Sequence, residues 1–313
     1  MIHITDDMIA SHVTAADAET AMREAFASFA AGDAAMQERI RTEAGGVKLS
    51  TLGAVIPAQG VTGAKVYTTI KGQFQFVILL FSTEDGRPLA SFDAGTITRL
   101  RTAACSVLAA RHMARPESSV LGLFGAGVQG IHHAQQFALA FPLRRILVCD
   151  PYAPAGLAER LQALCNLEVA IAGPEQLVRE ADIVVTASRS TEPLFSGEWL
   201  RPGTFIAAVG SSLPHTRELD DTALARAAAV VVEWRIQTLR EAGDLVRAAE
   251  GALDDSRILE LGDLVAGRVS ARRDADDILI YKAVGVGLQD VALAGLAYQR
   301  VMAAGGNGKA SLR

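Results

Sequence analysis

Little in this 313-residue chain is aromatic, basic or thiol-bearing, and each shortage excludes something. Aromatic residues make up 5%, and 30 lysines and arginines are outnumbered by 35 acids, for a formal charge of −5. Nucleic-acid binding draws on basic stripes interleaved with stacking aromatics, so no nucleic-acid partner is expected. The cysteines, Cys105, Cys149 and Cys165, are odd in number and lack metal-ligand spacing. They read as reduced, buried thiols of a cytoplasmic protein. No HExxH run or Cys-rich spacing occurs, so no metal is expected. No stretch of about eighteen apolar residues could span a membrane. The segment Met1 to Asp7 has neither the basic nor the apolar part of a secretory signal. Yet 50% of the residues are hydrophobic, enough to fill one large or two ordinary cores.

What the chain does have is glycine in a telling order. An apolar run, Val120 to Phe124, reads as a buried parallel strand and ends in Gly125-Ala126-Gly127-Val128-Gln129-Gly130. A helical stretch from Ile131 follows at once. A dinucleotide site needs this order: one glycine for the turn, one for backbone approach to a pyrophosphate, one for close helix–strand packing. The helix N-terminus then offers unpaired N–H donors to the phosphates. A second strand, Arg145 to Cys149, ends in Asp150, about twenty residues on, where a carboxylate can accept from both ribose hydroxyls. Thr186, Ala187, Ser188 and Val209 at later strand ends, with Gly285, complete the candidate cofactor contacts.

Taken in order, Thr14 or Asp17 caps a helix to about Ala31, and short β-like runs follow at 46–52, 63–69, 74–81 and 88–92. Asp85-Gly86 marks a hairpin in what should be a mostly antiparallel sheet. A helix rich in alanine and leucine covers 96–115, and Pro116 closes it. From there strand candidates at 120–124, 145–149, 168–172, 182–187, 204–209 and 229–233 alternate with helices around 131–140, 155–165 and 174–180. Such alternation implies right-handed crossovers and a doubly wound parallel sheet, hence an α/β fold. A small helix is expected at Ile258–Gly262 and a strand at Ile278–Tyr281. The helix from Leu288 to Met302 should return to the first domain, and Gly305 onward reads as a frayed tail. The expected domains are 1–116 with 288–313, and 117–287.

Three cations stand in positions that should be partly buried: Arg41, Lys65 and Arg101. Lys65 is flanked by Val66 and Tyr67 with no acid nearby in sequence, so it either snorkels or meets an anion. Arg101 opens an apolar helix near its positive end, where its charge calls for an external anion. A substrate carboxylate clamped by all three would satisfy them. His132 and His133 on the first turn after the glycines should face solvent or cap the phosphate loop, and His215 is a candidate for the pocket lining. Asp182, Asp220 and Asp221 read as caps and surface charges.

Arg41-Thr42, Gly63-Ala-Lys65, Leu100-Arg101-Thr-Ala-Ala, Gly125-Ala-Gly-Val-Gln129, Glu218-Leu-Asp220, Tyr281-Lys-Ala-Val-Gly285 and Asp290 occur in an order that resembles the ornithine cyclodeaminase/μ-crystallin family across nearly the whole chain. The resemblance implies a Rossmann domain for NAD(P), a mixed α+β domain that binds substrate and dimerises, and a homodimer. It also implies that Arg41, Lys65 and Arg101 hold a substrate carboxylate near the nicotinamide, with Lys65 polarising or protonating the reacting nitrogen. Cyclodeaminases carry an aspartate where this chain has Ser212 and a glutamate where it has Ala54. Cyclodeaminase chemistry must activate water and shuttle several protons, whereas ketimine reductases and μ-crystallin are similar to this chain at both positions.

The expected function is therefore NAD(H)-dependent reduction of a ketimine or imino acid, or the reverse amino-acid dehydrogenation, with Lys65, Arg101 and Ser212 as catalytic candidates. NAD(H) is preferred over NADP(H), because Asp150 would repel a 2′-phosphate and Pro151-Tyr152-Ala153 supplies no arginine to bind one. Ornithine cyclodeaminase, alanine dehydrogenase and a non-catalytic small-ligand-binding protein are the alternatives.

Overall fold

In the computed structural model, which describes residues 1–305, the chain opens with strand β1 (Ile2–Ile4) and helix α1 (Asp6–His12). Neither is legible as a period, since each is too short to show one. Thr14 then starts α2 (Ala15–Ala31) through a capping box: its hydroxyl accepts from the Asp17 N–H while Asp17 accepts from the Thr14 N–H. Two otherwise orphaned donors are satisfied reciprocally. Five further strands follow, β2 (Ala35–Met36), β3 (Ile40–Ala44), β4 (Val47–Ile56), β5 (Val61–Ile70) and β6 (Gln73–Ser82), and then β7 (Pro88–Asp93). They form one sheet in the order β1-β7-β6-β5-β4-β2, with β3 also on β4; every pair is antiparallel except β1–β7. Because side chains alternate, one face carries the buried Leu52, Lys65, Ile78 and Phe92 in a single cross-strand row, while the other is apolar but open.

Helix α3 (Gly95–Met113) comes next, and the chain divides within it into two units: one is Met1–Ala104 with the segment from Val286, the other Cys105–Gly285. The division thus falls inside the helix, ahead of Pro116. The second unit runs β8 (Val120–Phe124), α4 (Val128–Ala140), β9 (Arg145–Cys149), α5 (Leu157–Cys165), β10 (Glu168–Ile171), α6 (Pro174–Glu180), β11 (Ile183–Thr186) and β12 (Phe205–Ala208). It continues with α7 (Asp221–Arg226), β13 (Ala227–Val232), α8 (Arg235–Glu241), α9 (Gly243–Val246), β14 (Ile258–Glu260), α10 (Leu261–Val265) and β15 (Ile278–Lys282). The eight strands are all parallel in the order β10-β9-β8-β11-β12-β15-β13-β14. Phe124, Leu147, Val184, Ile206, Val230 and Ile280 pack from the strands against Leu177 of α6 and Leu224 of α7. Helix α11 (Gly287–Gly305) belongs to the first unit and packs on β4, β5 and β6. The remainder of the expected tail lies outside the described residues.

Two expectations are corrected by the structure. Ile258–Glu260 is an edge strand paired with Val230–Val232, and the helix begins only at Leu261, because sheet pairing overrides a weak local preference. Asp182 is not a surface charge. It is 9% exposed, accepts from the Ser119 and Val120 N–H groups at 2.8 and 3.0 Å, and takes Arg115 and Arg201 at 3.1 and 2.8 Å. Those bonds hold its carboxyl below the usual range although burial pushes the other way. Asp220, by contrast, does cap α7 through the Ala223 N–H.

Replacing Asp182 with alanine leaves two N–H donors and two guanidinium groups unpaired at the entry to β8. Asp182→Ala is expected to lower the unfolding free energy by about 2–3 kcal/mol, read as a lower urea midpoint with an unchanged slope.

Candidate active site

In the second unit, chain order runs outward from β8 in opposite directions, through β9 and β10 on one side and β11 and β12 on the other. Ligands of such sheets bind beyond the carboxyl ends of the strands at this switch point. The glycine turn lies there. Gly125 has φ 84°, and a Cβ on it would come 2.8 Å from the Ala187 oxygen; one on Gly130 would come 2.0 Å from the Gly125 oxygen. Gly127 has nothing within 4 Å of a Cβ position, and no side chain caps α4 behind it. The first turn of a 13-residue helix therefore points its donors into open space, with Val128 62% exposed beside it. Asp150 stands at the end of β9, accepting from the Ala126 and Tyr152 N–H groups at 2.8 and 2.9 Å. A pyrophosphate and an adenosine ribose fit this donor set and this carboxylate.

The loops after β11 and β12 are fixed by a residue whose role spacing does not reveal. Glu218 is fully buried and accepts from the Thr186 hydroxyl, the Ser188 N–H and hydroxyl, and the Gly210 and Ser211 N–H groups, at 2.7–3.1 Å. Burial raises its pKa, Lys282 opposes that, and Asp244 adds to it. Asp244 accepts from the Glu218 and Leu219 N–H groups and pairs with the buried Lys282 at 2.9 Å. Glu233 likewise accepts from the Val284 and Gly285 N–H groups at 2.8 and 2.7 Å. Thr186 and Gly285, both buried, thus support the loops from behind, while Ala187, Ser188, Val209 and Ser212 are only half-buried. The signal that points to Glu218 is its place in the Glu218-Leu-Asp220 run of the family resemblance, not its local composition, which is polar from Pro214 to Thr222.

In the first unit, Lys65 and Arg101 meet on one carboxylate. Asp290, in the first turn of α11, takes Lys65 Nζ at 2.7 Å and Arg101 Nε at 3.1 Å, and Gln289 Oε1 accepts from Arg101 at 2.6 Å. The external anion expected for Arg101 is corrected to this extent: its first partner is internal. Burial drives the Lys65 ammonium down to about 7; Asp290 resists, and the charges of Arg101 and Arg39 add to the fall. Burial alone would raise Asp290, but Arg101 and Lys65 hold it low. Arg39 is not among the expected residues. Arg41 lies on β3 opposite Ser50, which in turn faces Tyr67, one register row from the Leu52–Lys65 pair. Two buried cations, Lys65 and Arg101, thus share the one buried carboxylate of Asp290, and the charge of Arg39 also reaches Lys65. Ala54, 5% exposed on β4 opposite Gly63, places no carboxylate in this sheet, and Ser212 sits in the other unit with its N–H on the Gly210 oxygen.

Other expectations resolve more simply. His133 is fully buried, with Nδ1 2.8 Å from the Gln129 oxygen and Nε2 3.0 Å from the Ser106 hydroxyl, so it does not face solvent. His215 is exposed, and its carbonyl accepts from Arg247. Cys105 is buried, whereas Cys149 and Cys165 are half-buried thiols, raised in pKa first by burial. Among the described residues no His/Cys/Asp/Glu cluster could hold a metal, and no helix is long and apolar enough to cross a membrane.

A doubly wound dinucleotide-type domain and a sheet domain that bears a buried cationic centre define a two-domain class of protein. Within it, residues 2–305 match the model of the ornithine cyclodeaminase/mu-crystallin family, and the chain belongs to that family. The mouse (Mus musculus) ketimine reductase mu-crystallin is 30% identical over 290 residues, covering 88% of this chain and 90% of its own. The crystal structure of a probable ornithine cyclodeaminase from Bordetella pertussis Tohama I is similar with TM-score 0.96 and 63% identity, over 98% of each chain. The Thermococcus litoralis Δ1-pyrroline-2-carboxylate reductase in complex with NADH and L-proline is similar with TM-score 0.92 and 26% identity, over 97% of this chain and 98% of that one.

Burial holds His133 at about 4 against an ordinary 6.5. The unfolded chain therefore binds one more proton than the folded one between those values, so this contribution to stability is complete above about pH 6.5 and is lost as pH falls towards 4. His133→Gln should flatten the fall in Tm between about pH 7.5 and 5, measured by calorimetry side by side with the parent.

Proposed function

We propose that this protein is an NAD(H)-dependent reductase of 2-imino acids, working in reverse as an amino-acid dehydrogenase. The observation that carries this reading is the Lys65–Arg101–Asp290 centre, in which two buried cations from a strand and a helix meet on one buried carboxylate. A substrate carboxylate would sit beside this pair, held by Arg101 with Arg41 on β3 and Arg39 just before that strand. Lys65 gives up a proton near neutral pH, so it can protonate an imine nitrogen as the C=N bond is reduced. NADH, when bound, supplies the hydride, and the balance is imine plus NADH plus a proton to amine plus NAD⁺. Gly125 to Gln129 would seat the pyrophosphate and Asp150 the ribose. Because Asp150 is fixed by two N–H donors and no arginine follows it at 151–153, NADH is preferred to NADPH. Ala54 and Ser212 provide no second acid or base, which disfavours the ammonia-releasing cyclisation.

The reading is tested by following NADH oxidation with 2-keto acids plus methylamine, alongside ammonia release from ornithine and NAD⁺. Imine reduction is expected, faster with NADH than NADPH. Its kcat/KM should fall as pH rises through about 7, where Lys65 loses its proton, and Lys65→Arg, which keeps its charge but gives up no proton in this range, should lower the rate and abolish that limb. Ammonia release from ornithine at a rate matching imine reduction would restore the cyclodeaminase.

The reading includes a homodimer. Ile40, Val47, Leu49, Val55, Ile70 and Val77 are 39–53% exposed and share the sheet face opposite Lys65. A contiguous apolar face of this kind calls for a cover, and a second copy of the chain supplies one that is self-complementary. Light scattering should give a dimer mass, and Leu49→Glu with Val77→Glu should give a monomer.

A further inference from the structure

The row of side chains beside Lys65 is chemically unlike the row that contains it. Lys65 stands in the row Leu52–Lys65–Ile78, and the next row on the same face is Arg41–Ser50–Tyr67–Phe76. Phe76 lies under the ammonium, with Lys65 Nζ 5.5 Å from its ring centre. Tyr67 packs against Phe76 at 5.1 Å, and Phe74 stacks on Phe76 at 5.7 Å with 6° between planes. Aromatic residues are only 5% of the chain, so the four in this hairpin, three of them at its turn end, are a local enrichment. The hairpin turns through Lys71 and Gly72, both at positive φ, which matches the twist of two tightly paired strands and keeps the three rings in register. Phe74, at the outer end, is 38% exposed, and Tyr67, at the inner end, is 9% exposed.

Ser50 supplies an independent sign of a ligand. It is 1% exposed, yet its hydroxyl makes no hydrogen bond among the described residues. Leaving a buried hydroxyl unpaired costs about 1–3 kcal/mol, and packing against Tyr67 alone would be served as well by alanine. Its position is diagonal to Lys65 and directly opposite Tyr67, close enough to both for a small molecule to touch all three.

Resting on the imine-reductase reading, we propose that Tyr67, Phe74 and Phe76 form the side-chain subsite, selecting 2-imino acids with an aromatic or similarly flat apolar side chain, and that the Ser50 hydroxyl hydrogen-bonds the bound substrate. The carboxylate sits at Lys65 and Arg101, and the side chain extends across the rows past Phe76 towards Phe74. The diaminated chain of ornithine, whose second ammonium would lie among three rings and two arginines, is a poor match for this row.

The test compares imines formed from methylamine with phenylpyruvate and with pyruvate, NADH being the reductant in both. The aromatic imine should have at least a tenfold higher kcat/KM, carried by KM. Phe76→Ala should collapse that ratio and Phe76→Leu should restore part of it, while Ser50→Ala should raise KM with little change in kcat. Equal or greater efficiency with the pyruvate imine in the unaltered enzyme overturns the proposal, whatever the variants do. If neither imine is reduced, the reductase reading falls, and calorimetry with 3-phenylpropanoate against propanoate then decides the subsite alone: tighter binding of the phenyl compound supports it, and equal binding overturns it.

Discussion

Asp290 is the constraint on which the first domain turns. A lone carboxylate buried in an apolar helix, or a lone lysine buried in a sheet, would each cost several kcal/mol of lost hydration. Set 2.7 and 3.1 Å from Lys65 and Arg101, Asp290 lets all three stay inside and joins α11 to β5 and to α3. A buried ion pair of this kind contributes little net stability compared with well-packed hydrocarbon. Its value here is positional. Two long, flexible cations are held by one short acid.

The cofactor domain repeats the device with backbone in place of cations. Glu218 collects five donors from two loops, Asp244 collects two and takes Lys282, and Glu233 collects two more. Each acid lies behind the carboxyl end of the sheet, so the loops above it need no regular structure of their own to be well placed. Irregular backbone near a ligand otherwise carries unpaired polar groups into a dry site. Here the acids satisfy those groups from beneath and leave the outward surface to the ligand.

This division of labour explains what is and is not legible in the sequence. The parallel sheet is legible because β8, β9 and β11 are unbroken apolar runs between turns, and the glycine turn because three fixed spacings each have a steric cause. Lys65 and Arg101 are conspicuous as cations in apolar surroundings. Their partner is not, because Asp290 lies nearly two hundred positions from Arg101 in the chain and no local period links them. Arg39 gives no local signal, since its relation to Lys65 depends on the register of β3 and β4, which a single residue of slip would reverse. His133 misleads for a similar reason: its position on the first turns of α4 suggests exposure, and only Ser106 reaching its ring shows otherwise.

The first domain is completed by α11, and that has a consequence for synthesis. On the ribosome, β4, β5 and β6 emerge long before residue 290, and the face bearing Lys65 must wait for its acid. The whole of Cys105–Gly285 is made in the interval and contains its own core. The segment written first is thus completed only after the whole of the second unit, and its cationic centre comes into being only once Asp290 has been made.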